Sequence, residues 1–261
     1  MHTGKKNIFG KNIFMNISKN PTFLFNLTLI SPKERRYMQV FRDVLVRITL
    51  LSLLLLFSFS PVFAHALDYD INSLSKTEAG FVYLKMGFTH IIPLGLDHVL
   101  FVIGLFFLNP NLKSVIWQAT AFTVAHSITL GLSIYGYIQP ATSVIEPIIA
   151  LSILFISIEN ILITELKWWR ILIVFAFGLI HGCGFASVLS EAGLPEKNYL
   201  IALLNFNIGV ELGQITVILL AFLLIGKWFG KKEWYKKRIV IPASASIGCI
   251  ALYWTIERAF F

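Results

Sequence analysis

Between residues 88 and 256 the sequence is a succession of six apolar segments, at 88–108, 115–138, 144–163, 169–189, 200–225 and 239–256. Each is long enough to cross a hydrocarbon core of about 30 Å as a helix. Backbone polar groups have no water to bond inside lipid, so segments of this kind must form helices that satisfy their own hydrogen bonds. The expected fold is therefore all-α, a polytopic membrane protein with a six-helix transmembrane bundle. Composition agrees, since charged residues make up only 14% of the chain and apolar residues 56%. Soluble domains carry about 25% charge, which excludes an ordinary cytosolic enzyme.

The net charge of +8 does not indicate a nucleic-acid partner once it is located along the chain. Residues 1–64 hold nine Lys/Arg against two acids, Glu34 and Asp43, whereas residues 65–261 hold thirteen against twelve. In the first region Arg42 and Arg47 precede an apolar run at 48–57, and Val62, Phe63 and Ala64 then offer a small-residue cleavage pattern. That is the order of a secretory signal peptide. The expected organisation is an upstream extension without function at 1–37 and a signal peptide at 38–64, with Met38 as an alternative start. An exterior N-terminal segment follows at 65–87, then the transmembrane domain at 88–257. Lys6-Asn7-Ile8-Phe9 recurs as Lys11-Asn12-Ile13-Phe14 in the extension, with no helical period.

An exported N-terminus places the first, third and fifth connections in the cytoplasm. They carry Lys113, Lys167, Arg170, Lys227, Lys231, Lys232, Lys236, Lys237 and Arg238, against Lys76, Lys85, Lys197 and Arg258 on the exterior side. Nine against four follows the positive-inside bias. The sequence thus predicts a membrane protein with its mature N-terminus outside and the basic loop 227–238 inside. That loop is read as a topology determinant in preference to an anionic-lipid site. Cys183 and Cys249 both lie in apolar runs and offer neither a disulfide framework nor a thiolate zinc site.

Function is carried by the polar residues inside the spans. Ionisable side chains at membrane depth cost about 2.5–3.5 kcal/mol each on insertion scales. The first span nevertheless holds His90, Asp97 and His98, and the second Thr123, His126 and Ser127. Glu146, Glu159 and Asn160 follow in the third, His181 in the fourth, and Asn205, Asn207, Glu211 and Gln214 in the fifth. With no Lys or Arg at matching depth, a shared cation is the expected means of neutralising these carboxylates. In a continuous helix His90 and Asp97, seven residues apart, share a face, as do Asn207, Glu211 and Gln214. Pro93 and Gly95 predict a kink or break in the first span, a device by which transporters expose cation-binding carbonyls. Mixed imidazole and carboxylate donors favour a borderline transition metal such as nickel, cobalt or zinc. Gly182 and Gly184, beside His181, allow neighbouring backbone to approach closely.

Five runs in order resemble the HupE/UreJ family of bacterial membrane proteins: GFTHIIPLGLDHVLF at 87–101, AFTVAHSITL at 121–130, EPIIALS at 146–152, FGLIHG at 177–182 and FNIGVELGQ at 206–214. The family is similar to secondary nickel or cobalt permeases linked to hydrogenase and urease. The resemblance implies that His90, Asp97 and His98 form a signature metal motif, with His181 and Glu211 in a second group. Six residues separate His90 from Asp97, where the nickel-permease branch has five.

The expected ligand set is therefore His90, Asp97, His98, His126, His181 and Glu211. Thr123, Glu146, Glu159, Asn207 and Gln214 are the supporting positions. The expected function is inward movement of a divalent metal, most simply nickel, without a nucleotide and without a prosthetic group. Expected partners are the metal ion, the lipid bilayer and a metallochaperone or maturation protein. Two other readings stay open: an intramembrane zinc hydrolase, with three His and an Asp around an open zinc position, and a metal-binding accessory subunit.

Overall fold

The computed structural model describes residues 75–191 and 198–261. The extension at 1–37, the signal peptide at 38–64, the start of the 65–87 segment with His65, Asp68 and Asp70, and the connection holding Pro195 and Lys197 lie outside the described residues. The described residues are all-helical, with no strand.

The first helix, α1 (Lys76–Ile91), starts twelve residues ahead of the expected span. Its start is fixed locally by Ser75 and Glu78: the Glu78 amide donates to Ser75 Oγ at 3.3 Å, and the Ser75 amide donates to Glu78 Oε2 at 3.0 Å. Two amide donors are thereby satisfied in a reciprocal capping box. This Ser-Lys-Thr-Glu signal is present in a stretch that hydropathy alone assigns to a polar tail.

Helix α2 (Leu96–Leu108) follows after a break at which the axis bends by 67°. Pro93 supplies no amide, and Gly95 stands so close to the His90 carbonyl that a β-carbon would overlap it. The expected break in the first span is thus present. The remaining helices are α3 (Leu112–Ile134), α4 (Thr142–Leu162), α5 (Arg170–Glu191), α6 (Tyr199–Ala221) and α7 (Ile241–Phe260). α6 continues through a π-helical turn at Phe222–Gly226 as far as Phe229, and a second π turn at Lys236–Val240 leads into α7. The basic loop 227–238 begins just after the first of these turns and runs into the second.

The principal pairings are α1 on α6, α3 on α5 and α4 on α7. Small residues make the first two possible. Gly87 and Gly209 oppose each other, a β-carbon on either meeting the backbone of the partner helix; Gly178 and Gly182 similarly seat α5 on the backbone of α3. Lipid tails are as apolar as leucine, so close backbone approach of this kind is a main source of attraction between membrane helices. Phe101, Phe122 and Phe206 are fully buried within, while Ile128, Leu132, Leu204 and Leu219 face outward.

Four helices are long and apolar enough to cross a membrane, and the bent α1–α2 pair makes a fifth if it counts as one span. The apolar stretch Arg170–Ala186 of α5 is shorter. Several apolar spans of this kind define a membrane protein.

Candidate metal-binding site

The break between α1 and α2 decides which side chains meet. Because the axis turns between His90 and Asp97, the two do not share the face that a continuous helix would give them. His98 takes that place: the His90 and His98 rings lie 4.7 Å apart, centre to centre. His126 of α3 stands 6.2 Å from His90 and 5.9 Å from His98. His181 of α5 lies 5.0 Å from His98. Four helices thus bring four imidazoles into one chain of contacts.

His90, His98 and His126 each offer a ring nitrogen, and these three atoms all lie within 4.8 Å of one another. That is the span of a single metal ion held at about 2.0–2.1 Å by each imidazole. Nε2 of all three is buried with no hydrogen-bond partner among the described residues, and so is Nδ1 of His181. Buried polar atoms are ordinarily paired, and an orphaned one calls for a specific reason. Four such atoms lie in one place.

Neighbouring groups fix two of the rings. The Asn207 amide donates to the Leu203 carbonyl at 2.8 Å, which turns its oxygen toward His126 Nδ1 at 3.4 Å. An amide oxygen can only accept, so His126 Nδ1 carries the proton and Nε2 keeps a bare lone pair. The Ser152 hydroxyl donates to the Ile149 carbonyl at 2.7 Å and therefore accepts from His181 Nε2 at 2.9 Å. That leaves the lone pair of His181 on Nδ1. Metal-binding histidines are regularly oriented in this way through the nitrogen that does not bind. Gly182 has its own part in the site: it packs against the His126 carbonyl and the Thr129 hydroxyl, so the α3–α5 approach that joins His126 and His181 depends on it.

Phe185, 3.8 Å from the His90 ring, together with Phe206 and Phe122, walls the cluster with apolar surface. His126 and His181 are 0% and 1% exposed, which makes the site an interior one.

The carboxylates lie elsewhere. The expectation that none has a basic partner does not hold. Asp97 accepts from Arg258 Nη2 at 3.1 Å and 3.2 Å through its two oxygens. Glu159 is ion-paired with Arg170 Nε at 3.2 Å, both side chains being almost fully buried. Asn160 extends that second cluster: its oxygen faces Arg170 at 3.4 Å, and its amide donates to the Gly104 carbonyl at 2.8 Å and to Ser244 at 3.3 Å. The sequence could not supply these partners because Arg170 and Arg258 read as charges of the connections.

Glu211 accepts from Thr120 at 2.6 Å, and its second oxygen is buried and unpartnered. Thr123 donates to Gln214 at 3.3 Å. Glu146 is exposed near the start of α4. Of the expected ligands, His90, His98 and His126 come together with His181 adjoining, while Asp97 and Glu211 are engaged by Arg258 and Thr120. Asn207, one of the expected supporting positions, lies against His126. Ser152 and Arg258 were missed, and no local pattern in the sequence marks either.

Fold and site together define a class: a membrane protein, all-helical in its described residues, with a buried histidine cluster whose nitrogens converge without a hydrogen-bond partner there. Comparison with known families agrees with that class. Residues 67–258 match the family model described as HupE / UreJ protein. The chain belongs to the HupE/UreJ family. No curated protein and no solved structure matches it significantly.

Proposed function

We propose that this chain is a secondary permease for a divalent transition-metal cation, nickel in first place, with the ion passing through the cluster of His90, His98, His126 and His181. Six spans, with the α1–α2 pair as one and α5 as another, would put the mature N-terminus outside and the basic loop 227–238 in the cytoplasm of a bacterial inner membrane. The observation that carries the reading is the convergence of three imidazoles, each with a ring nitrogen within 4.8 Å of the others. The family supports it, being tied to nickel and cobalt transport or metalloenzyme maturation and not to catalysis. The metal is substrate, with no resident cofactor, and a metallochaperone or maturation protein is the natural recipient.

Nitrogen donors suit this cargo, because imidazole prefers nickel, copper, zinc and iron over magnesium or calcium. Neutral ligands also suit transit, since no buried carboxylate within the group holds the ion by its full charge. A divalent ion moving through 100 mV gains about 4.6 kcal/mol, twice the single-charge value, which supports roughly 2,000-fold accumulation without a nucleotide.

Uptake of radioactive nickel into proteoliposomes at an imposed inside-negative potential tests the proposal. Wild type is expected to accumulate nickel and His98→Ala is not. Tight binding with no uptake would contradict a permease and favour an accessory metal-binding role.

A further inference from the structure

The acid that precedes His98 in the chain is ion-paired with an arginine near the C-terminal end of α7. Asp97 lies next to His98 in the first turn of α2, and Arg258 lies in the last turn of α7, 161 residues away. One guanidinium nitrogen bridges both carboxylate oxygens, at 3.1 and 3.2 Å. The arginine is itself held, its guanidinium sitting 5.1 Å from the Trp254 ring centre. Of the other acids within the bundle, Glu159 faces Arg170, and Glu211 accepts from Thr120 through one oxygen while the other is buried and unpartnered.

We infer that Arg258 is a specificity-determining residue: by holding the Asp97 carboxylate, it keeps the metal site all-imidazole and so excludes hard divalent cations. The inference rests on the histidine cluster being the metal site. Its chemistry is simple. Carboxylate oxygen suits manganese, magnesium and calcium, whereas imidazole suits nickel, cobalt and zinc. A carboxylate admitted next to His98 adds a hard, anionic donor and admits the hard ions with it. Arginine suits the task because its guanidinium stays charged at all relevant pH values and is weakly hydrated, so it can hold a partly buried acid without being titrated away.

The test uses the purified full-length protein in detergent, with cobalt binding followed by its visible absorption and displaced by manganese. Wild type is expected to bind cobalt and resist manganese. Arg258→Gln and Arg258→Met should each narrow the manganese-to-cobalt ratio by about tenfold or more, the size expected when a group controlling a metal ligand is lost. Arg258→Lys, which keeps the charge, should stay near wild type. In Asp97→Asn/Arg258→Gln the wild-type ratio should return, because the effect runs through the carboxylate. Cobalt binding with an unchanged ratio in both Arg258 variants would overturn the role of Arg258 alone. So would a double variant that stays relaxed. Cobalt binding that survives His98→Ala would overturn the histidine site itself, and this inference with it.

Discussion

Two buried polar clusters occupy the same helical bundle, and they are built on opposite principles. Around Glu159, Arg170, Asn160 and Ser244, every charge has a counter-charge, and the cluster ties α2, α4, α5 and α7 together. Around His90, His98, His126 and His181 no ion pair occurs among the described residues, and four ring nitrogens have no hydrogen-bond partner there. Some oxygens and nitrogens of the first cluster also lack hydrogen bonds, but its charges already offset one another, so it needs no ion. The histidine cluster has ligand nitrogens and no such offset within it, and that contrast separates structure from function here.

Breaking the matched cluster should cost the most stability. Arg170→Leu strands the Glu159 carboxylate and should destabilise the protein by about 3–5 kcal/mol, the usual cost of leaving a buried charge uncompensated. Thermal unfolding in detergent would show a much lower midpoint, and Glu159→Leu/Arg170→Leu should recover most of it. A single variant with unchanged stability would mean that the ion pair has no structural role.

The orphaned cluster should behave in the opposite way. His98→Ala removes a ring nitrogen with no hydrogen-bond partner among the described residues, so its main effect falls on metal affinity, by roughly a hundredfold or more, beyond what losing an orienting neighbour costs. Titration calorimetry with nickel reads that loss, and a melting temperature near wild type completes the contrast.

Two smaller changes sharpen the comparison. Gly182→Ala forces a methyl against the His126 carbonyl. About 1–3 kcal/mol of stability should be lost, as overpacking usually costs, with weakened metal binding because α3 and α5 are pushed apart. Asn207→Leu frees the His126 ring to adopt the wrong tautomer. It should weaken metal binding by about 10–100-fold at most, while leaving the ion-paired cluster untouched. Equal affinity in the Asn207 variant would show that His126 needs no orienting partner.

Much of this was legible in the sequence, for identifiable reasons. Apolar length located the helices, because lipid leaves the backbone no alternative. Pro93 and Gly95 announced the break, because one removes an amide and the other has no β-carbon to collide with the His90 carbonyl. His90, His98, His126 and His181 stood out because imidazole inside an apolar span needs a reason. What failed was the direction of Asp97, since spacing of seven places residues on one face only while a helix is continuous. The bend of 67° gives that face to His98. The arginine partners were illegible for a different reason: Arg170 and Arg258 stand at the ends of apolar runs, where sequence shows charge but not how far a long side chain reaches inward. The start of α1 was readable from its capping box, but average hydropathy concealed it.

The central claim is that the metal is held by imidazole nitrogen, with Asp97 kept aside by Arg258. X-ray absorption at the nickel edge of the loaded, full-length protein tests it most directly, because it counts scattering imidazole rings. Three or four histidines, with no coordinating carboxylate, is the result this account predicts. One or two histidines in a shell dominated by oxygen would contradict it and return Asp97 to the ligand set.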